Sequence, residues 1–482
     1  MFDIRPVSYV IGLLVAVLGA TMLLPMLVDL AEGRGEWHVF LQSSVLTMFS
    51  GGLIALASAN GVRRDLSLQQ VFLLTTGVWA VLPMFGAMPM MIGVTDLRLV
   101  DAYFEAMSGM TTTGSTVISG LDELPKGILL WRGILQWLGG LGIVIVAMLF
   151  LPVMRVGGMQ FFKSEGFDTL GKVLPRALDI SRGLFEIYIL LTMICALTYF
   201  VLGMDVFDAT VHALTTVSTG GFSTSDMSFA KFVGSAEWAG VLFMVLASLP
   251  FIRLFQLSRG QVQPIYRDSQ IRTYLLLLTL AVAAVSLSQW LVNARYDLAT
   301  LRSIAFNTVS FFTGTGYGSA DVTLWGGMAF TVLLFVGAIG GCTGSTGCSI
   351  KVFRYQVFFA ALTSQLKRIA YPHRVVTVRI DGRVVPYEVM ASVISMFTLF
   401  AVTVTAVAIL LSFTGLPFLE SLTAAWTSVF NIGPAFGTMI TPSGSLENFS
   451  DTAKWILSFA MLMGRLELVA VIVLFLPTFW RA

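Results

Sequence analysis

Four short stretches of the 482-residue sequence share a polar run that ends on glycine: DAYFEAMSGMTTTGST from Asp101, DATVHALTTVSTGGFS from Asp208, SIAFNTVSFFTGTGYG from Ser303 and ESLTAAWTSVFNIGPAFG from Glu420. None sets a nucleophile beside a base, a pair of acids or a cluster of metal ligands. What they offer is backbone. A short helix that enters a membrane and stops at a glycine turn aims the negative end of its dipole at the turn. Glycine there accepts positive φ and lets carbonyl oxygens point inward with no Cβ in the way. A ring of such carbonyls can replace the hydration shell of a cation. The chemistry in prospect is desolvation and coordination rather than bond making.

Aligned on the last glycine before the exit, the stretches put Gly114, Gly221, Gly316 and Gly433 in register, with Asp101, Asp208, Ser303 and Glu420 thirteen positions upstream. All four upstream residues suit a helix N-cap or first turn. The register selects Gly221 over Gly220, because only Gly221 keeps Asp208 at the shared offset. The glycines stand 107, 95 and 117 residues apart, the length of a span, a half-membrane helix, a turn and a returning span. Candidate filter residues are Thr112, Thr113 and Gly114; Thr219, Gly220 and Gly221; Gly314, Thr315 and Gly316; and Asn431, Ile432 and Gly433. Backbone carbonyls of Thr112, Thr113, Thr219, Gly220, Thr315, Gly316, Asn431 and Ile432 are the candidate ion ligands. The third copy, Thr315-Gly316-Tyr317-Gly318, resembles the TVGYG filter of potassium channels; Asn431-Ile432-Gly433-Pro434 is the most divergent.

These segments need a membrane around them, and composition supplies it. The chain is 56% hydrophobic and 12% charged, with a mean hydropathy of +0.85, which places it in the polytopic membrane class. Spans are predicted near 7–31, 37–60, 67–93, 128–152, 183–203, 236–257, 273–293, 327–349, 386–413 and 453–479. The first reads as a retained span rather than a cleaved signal peptide. Net charge of +2 and the absence of a basic block outside the membrane-flanking loops carry no nucleic-acid signal. Cys195, Cys342 and Cys348 lie in apolar or glycine-rich segments, as packing residues do, not in a disulfide or zinc framework. Basic residues cluster at Arg5, at Arg63 and Arg64, and over 155–182, 253–272 and 351–383, so these loops and both termini are expected inside. Asp122, Glu123, Asp226, Asp321, Glu447 and Asp451 fall in the opposite loops, where acids would concentrate cations.

Through FEAMSGMTTTGST, LQWLGGLGIVIVAMLFLPV, HALTTVSTGGFST, IGGCTGSTGCSIKV, NIGPAFG and the C-terminal AKWILSFAMLMGRLELVAVIVLFLPTFWR, the chain resembles the Trk/Ktr/HKT superfamily of potassium transporters, in its TrkH branch, over nearly its whole length. The resemblance implies an all-α membrane protein of two N-terminal spans plus four M1–P–M2 potassium-channel-like repeats around one central pore. Its divisions would be 1–65 for the helical pair, then 66–180, 181–267, 268–384 and 385–482 for the repeats. Glycine at all four key positions goes, in the family, with potassium preference. The resemblance further implies a bacterial inner-membrane homodimer surrounded by lipid, served by a cytosolic TrkA-like ring of nucleotide-binding domains. The chain itself has no nucleotide fingerprint in a strand–turn–helix setting, so nucleotide would act only through that partner.

Two features suggest a gate. The span 327–349 is interrupted by five glycines within 337–348, enough to break a helix at membrane depth. The family places such a loop as a plug beneath the filter, here with Gly340, Gly341, Cys342, Thr343, Gly344, Ser345, Thr346 and Gly347. It departs from the family at Cys348-Ser349, where relatives carry more glycine, which implies a stiffer loop. The other feature is Arg465, a charge inside an apolar span and functional by default; the family sets an arginine beside the loop as a barrier to cations. Glu467, two positions on, points elsewhere on a continuous helix, and Lys351 reads as a weaker candidate or a cytoplasmic-end anchor. His212 is expected to pack or hydrogen-bond. VVTVRIDGRVVPYEV alternates as a hairpin around Asp381-Gly382 and is a candidate partner contact. An intramembrane enzyme is disfavoured because His38, His212 and His373 are scattered. A carrier built on inverted repeats is disfavoured because these repeats share one orientation.

Overall fold

The computed structural model describes residues 3–33, 35–61, 66–149, 154, 173–292, 297–373 and 377–481. The basic positions Arg63, Arg64 and 155–172, used above to orient the chain, lie outside them. Among the described residues, seven helices are long and apolar enough to cross a membrane: Arg5–Ala31, Trp37–Gly61, Leu68–Ile92, Lys126–Val146, Ser181–Val201, Ser269–Leu291 and Tyr387–Phe413.

The first two spans form the outlying pair. Gly12 and Gly51 let their backbones touch: a Cβ on Gly12 would lie 2.6 Å from the Ala55 nitrogen, and one on Gly51 2.5 Å from that of Ala16. Such close approach replaces hydrophobic drive as the source of helix association in lipid. Ser44 Oγ adds a 2.7 Å hydrogen bond to the Gly19 carbonyl. Leu53, Leu56 and Val17 are left exposed on this pair, as lipid-facing side chains should be. The third span starts where Ser67 and Gln70 cap each other reciprocally.

The remaining chain repeats one plan four times: a span, a short pore helix, an extended exit segment and a returning span. The pore helices are Leu99–Met110, Val206–Val217, Leu298–Thr313 and Phe418–Phe430. Asp205 and Asp297 cap two of them through backbone N–H groups of Phe207 and Thr300, and Asp101, Asp208 and Glu420 lie in first turns. Ser303 does not, because the third pore helix begins five residues earlier at Leu298. From Asp101, Ile304 and Glu420 onward only Tyr103 and Leu422 in these three helices are not fully buried; they are wrapped almost wholly by protein rather than lipid.

The returning spans differ from expectation in a systematic way. In repeat two, Ser235–Ala247 and Phe251–Ser258 meet at 100°; in repeat four, Asp451–Arg465 and Val469–Phe475 meet at 108°. Both were expected as single spans. Pro250 lacks the N–H a continuous helix needs, and Glu467 and Leu468 adopt φ of 61° and 56°, outside any right-handed helix. In repeat three the helix Gly327–Ile339 gives way to a non-helical segment before Val352–Ala370, as the glycines predict. Beyond it, Arg379–Ile380 and Arg383–Val384 pair antiparallel across Asp381 and Gly382, at φ of 49° and 78°, the two positive-φ positions of a type I′ turn. Val378, Ile380 and Val385 pack with Phe353, Val357, Val389 and Val393 in a small core of their own.

Candidate functional site: a glycine ring above a glycine loop

Every pore helix ends in the same turn. The residue two before each key glycine is left-handed: Thr112, Thr219, Gly314 and Asn431 have φ of 52°, 52°, 74° and 52°. The next residue then donates its N–H to the carbonyl five positions back: Thr113 to Ser108 at 2.9 Å, Gly220 to Thr215 at 2.8 Å, Thr315 to Ser310 at 2.9 Å and Ile432 to Thr427 at 3.0 Å. This is the 6→1 closure of a Schellman-type terminus. A β-branched threonine at positive φ costs on the order of 1–2 kcal/mol, and such strain persists where the surroundings over-determine it.

What over-determines it is a ring. The key glycines have φ of 88°, 78°, 81° and 113°. A Cβ added to Gly114 would strike the carbonyl oxygen of Gly220; on Gly221, that of Thr315; on Gly316, that of Ile432; and on Gly433, that of Thr113. Each clash falls on the residue just before the next repeat's key glycine, and the fourth returns to the first. The expected register of four glycines is therefore a closed circle in space. Each glycine is required because the neighbouring repeat's carbonyl occupies the place of a side chain.

The carbonyls of Thr112, Thr113, Thr219, Gly314, Thr315, Gly316, Asn431 and Ile432 accept no hydrogen bond from any described residue, although Thr112, Thr113, Thr219, Thr315 and Ile432 are fully buried. Buried carbonyls are almost always paired; a circle of unpaired ones is suited to a desolvated cation. Two carbonyls are engaged, that of Gly220 by Gln136 Nε2 at 2.6 Å and that of Gly433 by Ser115 Oγ at 2.7 Å.

All four key glycines line the floor of one cavity of about 520 Å³, whose walls include Asp226, Asp321, Tyr317 and Arg132. Of the acids expected there, Asp226 and Asp321 line it, and Asp321 is engaged by the N–H and hydroxyl of Thr323. Asp226 accepts from the N–H groups of Gly120 and Leu121 at 2.9 and 3.2 Å, while Asp122 accepts from Ser225 and the Asp226 N–H, so these acids clasp two loops. Asp451 pairs with Arg98 at 2.8 Å.

Behind the ring, each of the first three pore helices bonds its own exit segment from the position nine before the key glycine. Glu105 accepts from Thr116 and the Val117 N–H, His212 Nε2 meets Ser223 Oγ at 3.0 Å, and Asn307 bonds Ser319. His212 is thus a structural hydrogen-bonder, as expected. The Tyr317 hydroxyl reaches Thr215, Thr216 and the His212 carbonyl in the preceding repeat.

On the far side of the ring lies the interrupted span of repeat three. Its loop is buried and held by the break in repeat two: the Cys342 N–H donates to the Ser248 carbonyl at 2.9 Å, the Thr346 N–H to that of Ala247 at 3.3 Å, and the Phe251 N–H to that of Gly344 at 2.9 Å. Backbone groups freed by Pro250 and by the glycines satisfy one another, the condition for irregular backbone at membrane depth. Thr343 N–H adds a 3.1 Å bond to Gln270, and Thr346 Oγ1 bonds the Val217 and Ala247 carbonyls. Cys348 touches the ring directly: its Sγ lies 3.6 Å from Thr112 Oγ1, and its Cβ 3.1 Å from where a side chain on Gly314 would begin.

Arg465 lies against this loop. Nη1 donates to Cys348 Sγ at 2.9 Å and to the Thr346 carbonyl at 3.5 Å, and Nη2 to the Gly139 carbonyl at 3.5 Å; Nε has no partner among the described residues. It is not mid-helix as expected but the last residue before the repeat-four break. That break also corrects the reading of Glu467, whose carboxylate turns to the buried guanidinium of Arg354, on the helix leaving the loop. Lys351 is buried at the loop's end rather than standing at a surface. Among the described residues no His/Cys/Asp/Glu cluster suits a metal ion, and all three cysteines are free thiols.

The sequence profile of the TrkH family, described as a cation transport protein, matches residues 37–481. The Trk system potassium uptake protein TrkI of Halomonas elongata is 37% identical over 99% of this chain and 97% of its own. TrkH of Escherichia coli K12 is 33% identical over 99% of both chains. The crystal structure of the potassium transporter TrkH from Vibrio parahaemolyticus matches with a TM-score of 0.91 at 32% identity, covering 100% of each chain.

Proposed function

The chain belongs to the TrkH family of cation transport proteins, and on that premise we propose that it takes up potassium across a bacterial inner membrane through the glycine ring, which serves as its selectivity filter. The observation that carries the reading is the closed circle of key glycines and donor-free carbonyls at the floor of the cavity. Potassium leaves its hydration shell in the cavity, exchanges water for the carbonyls of Thr112, Thr113, Thr219, Gly220, Thr315, Gly316, Asn431 and Ile432, and passes inward. The four repeats are unequal in sequence, and two ring carbonyls carry side-chain donors, so this filter selects less sharply than a symmetric tetramer.

Conduction is gated by the 337–348 loop and Arg465. The loop fills the path beneath the ring, and the guanidinium, desolvated and unpaired with any acid among the described residues, raises the energy of a cation beside it. The chain acts as a homodimer with both termini cytoplasmic. A cytosolic TrkA-like nucleotide-binding ring sets the loop's position, and the Arg379–Val384 hairpin with its small core is a contact for it.

Replacing Gly316 with Ser tests the filter. The side chain would enter the space of the Ile432 carbonyl, so in reconstituted vesicles the ratio of rubidium to sodium flux should fall severalfold. An unchanged ratio in folded protein would count against the ring as the selective element.

A further inference from the structure

Gly220 and Gly221 are adjacent, and the ring accounts only for Gly221. A Cβ on Gly220 would fall instead on the carboxamide of Gln136, which reaches in from the returning span of repeat one, fully buried. Gln136 Nε2 donates to the Gly220 carbonyl at 2.6 Å, and Oε1 accepts from the Phe222 N–H at 3.0 Å. Both amide ends are matched to a complementary backbone group, so its orientation is determined. In the other repeats the position before the key glycine has its own side chain, Thr113, Thr315 or Ile432. Thr113 and Thr315 each bond back to the threonine two positions earlier at 2.7 Å. Repeat two has no side chain there, and the preceding repeat supplies one.

One turn earlier on the same face of that helix, Arg132 extends the hold. It donates to the Ser223 carbonyl at 3.0 Å, pairs with Glu105 at 2.8 Å and stacks over the Phe222 ring at 4.1 Å. A single helix of repeat one thus grips repeat two at 220, 222 and 223. The grip falls on the stretch with most freedom to leave its conformation, since a glycine pair is the least restricted dipeptide. A carbonyl oxygen has two lone pairs; one taken by Gln136 leaves the other for an ion while opposing rotation of the peptide.

We propose that Gln136 is a positioning residue for ion selectivity, holding the Gly220 carbonyl at its station in the ring. This rests on the reading of the ring as the filter. Two variants separate selectivity from folding. Gln136→Leu removes donor and acceptor. Gln136→Glu keeps the size and the acceptor for Phe222 but, when ionised, loses the donor to Gly220. Rubidium and sodium fluxes are measured in vesicles holding the full chain, across pH, with Gly316→Ser alongside. Both Gln136 variants should lower the rubidium-to-sodium ratio about fivefold, the factor of one net hydrogen bond. Gln136→Glu should regain the ratio as pH falls, because the protonated carboxyl donates again, and Gln136→Leu should show no such recovery. A role confined to packing would give no recovery with acid in either. If Gln136→Leu does not fold, Gln136→Glu carries the test. A lowered ratio in Gly316→Ser with a ratio in Gln136→Glu that stays unaltered to the alkaline end of the pH range, where the carboxylate is ionised, overturns this inference alone; an unaltered ratio in Gly316→Ser overturns the filter reading beneath it.

Discussion

Arg465 concentrates the question of what closes the pore into one side chain. Its contacts to the loop are long or made to sulfur, at 3.5 Å to Thr346 and 2.9 Å to Cys348, and no carboxylate neutralises it among the described residues. Charge rather than latching should therefore dominate. A unit charge ~8 Å from an ion path at an effective dielectric of ~20 opposes a cation by about 2 kcal/mol, roughly thirtyfold in flux. Arg465→Ala should raise rubidium flux by about that factor, whereas Arg465→Lys, which keeps the charge but not the fork of donors, should stay near the parent. Equal increases in both would point to a mechanical latch. At this scale the sequence was unevenly readable. Arg465 stood out as a charge in an apolar span. Gln136, Arg132, Glu105, Lys454 and Glu467 met the same criterion of polar groups at membrane depth, but their partners lie far off in sequence, from 27 residues for Arg132 and Glu105 to 353 for Lys454 and Asp101. Nothing local names such partners.

Among the elements, the loop of repeat three is the one whose position should change. It is stitched to the repeat-two break by backbone hydrogen bonds, each worth ~1 kcal/mol net, a sum small enough for a partner or a mutation to reverse. Cys348, 4% exposed beneath the ring, reports on this. In a background with Cys195 and Cys342 replaced by Ala, a neutral methanethiosulfonate reagent should react slowly with the parent and about tenfold faster when Thr346→Ala removes the loop's side-chain bonds to the Val217 and Ala247 carbonyls, since thiol reactivity follows exposure. Equal rates would mean that the loop stays in place during conduction. The glycines announced this break, and the turn chemistry of Asp381-Gly382 announced the hairpin. The breaks in repeats two and four went unread for different reasons. Pro250 was visible but lay inside a run apolar enough to pass as one span. Glu467 and Leu468 are residues with no preference for positive φ, held there by tertiary contacts such as the Arg354 pair.

At the scale of the whole molecule, one chain must close a circle that elsewhere needs separate subunits, and the junction between the last repeat and the first is the one that no connecting segment ties. Three contacts span it near the ring: Asn431 Nδ2 to Thr113 Oγ1 at 2.9 Å, Ser115 Oγ to the Gly433 carbonyl at 2.7 Å, and the Leu446 N–H to the Thr116 carbonyl at 2.8 Å. Farther from the ring the same junction is joined by Arg98 with Asp451 at 2.8 Å and by an ion pair 353 residues apart in sequence, Lys454 Nζ to Asp101 Oδ1 at 2.6 Å, with Lys454 also donating to the Glu447 carbonyl. The periodicity of the glycines made the fourfold plan legible, but not how its ends are joined. Side chains of Lys454 and Asp101 are 2% and 11% exposed, so removing one charge strands the other away from water, at a typical cost of 3–5 kcal/mol. Asp101 retains a contact with the mostly exposed Arg98, which places Lys454→Met at the lower end, about 3 kcal/mol. The variant should unfold at a clearly lower temperature in detergent and lose rubidium selectivity over sodium, because the Gly433 and Thr113 carbonyls share this seam. Adding Asp101→Asn removes the stranded charge and should restore most of the thermal stability. A double variant no more stable than Lys454→Met would show that the seam depends on the lysine's bond to the Glu447 carbonyl rather than on charge.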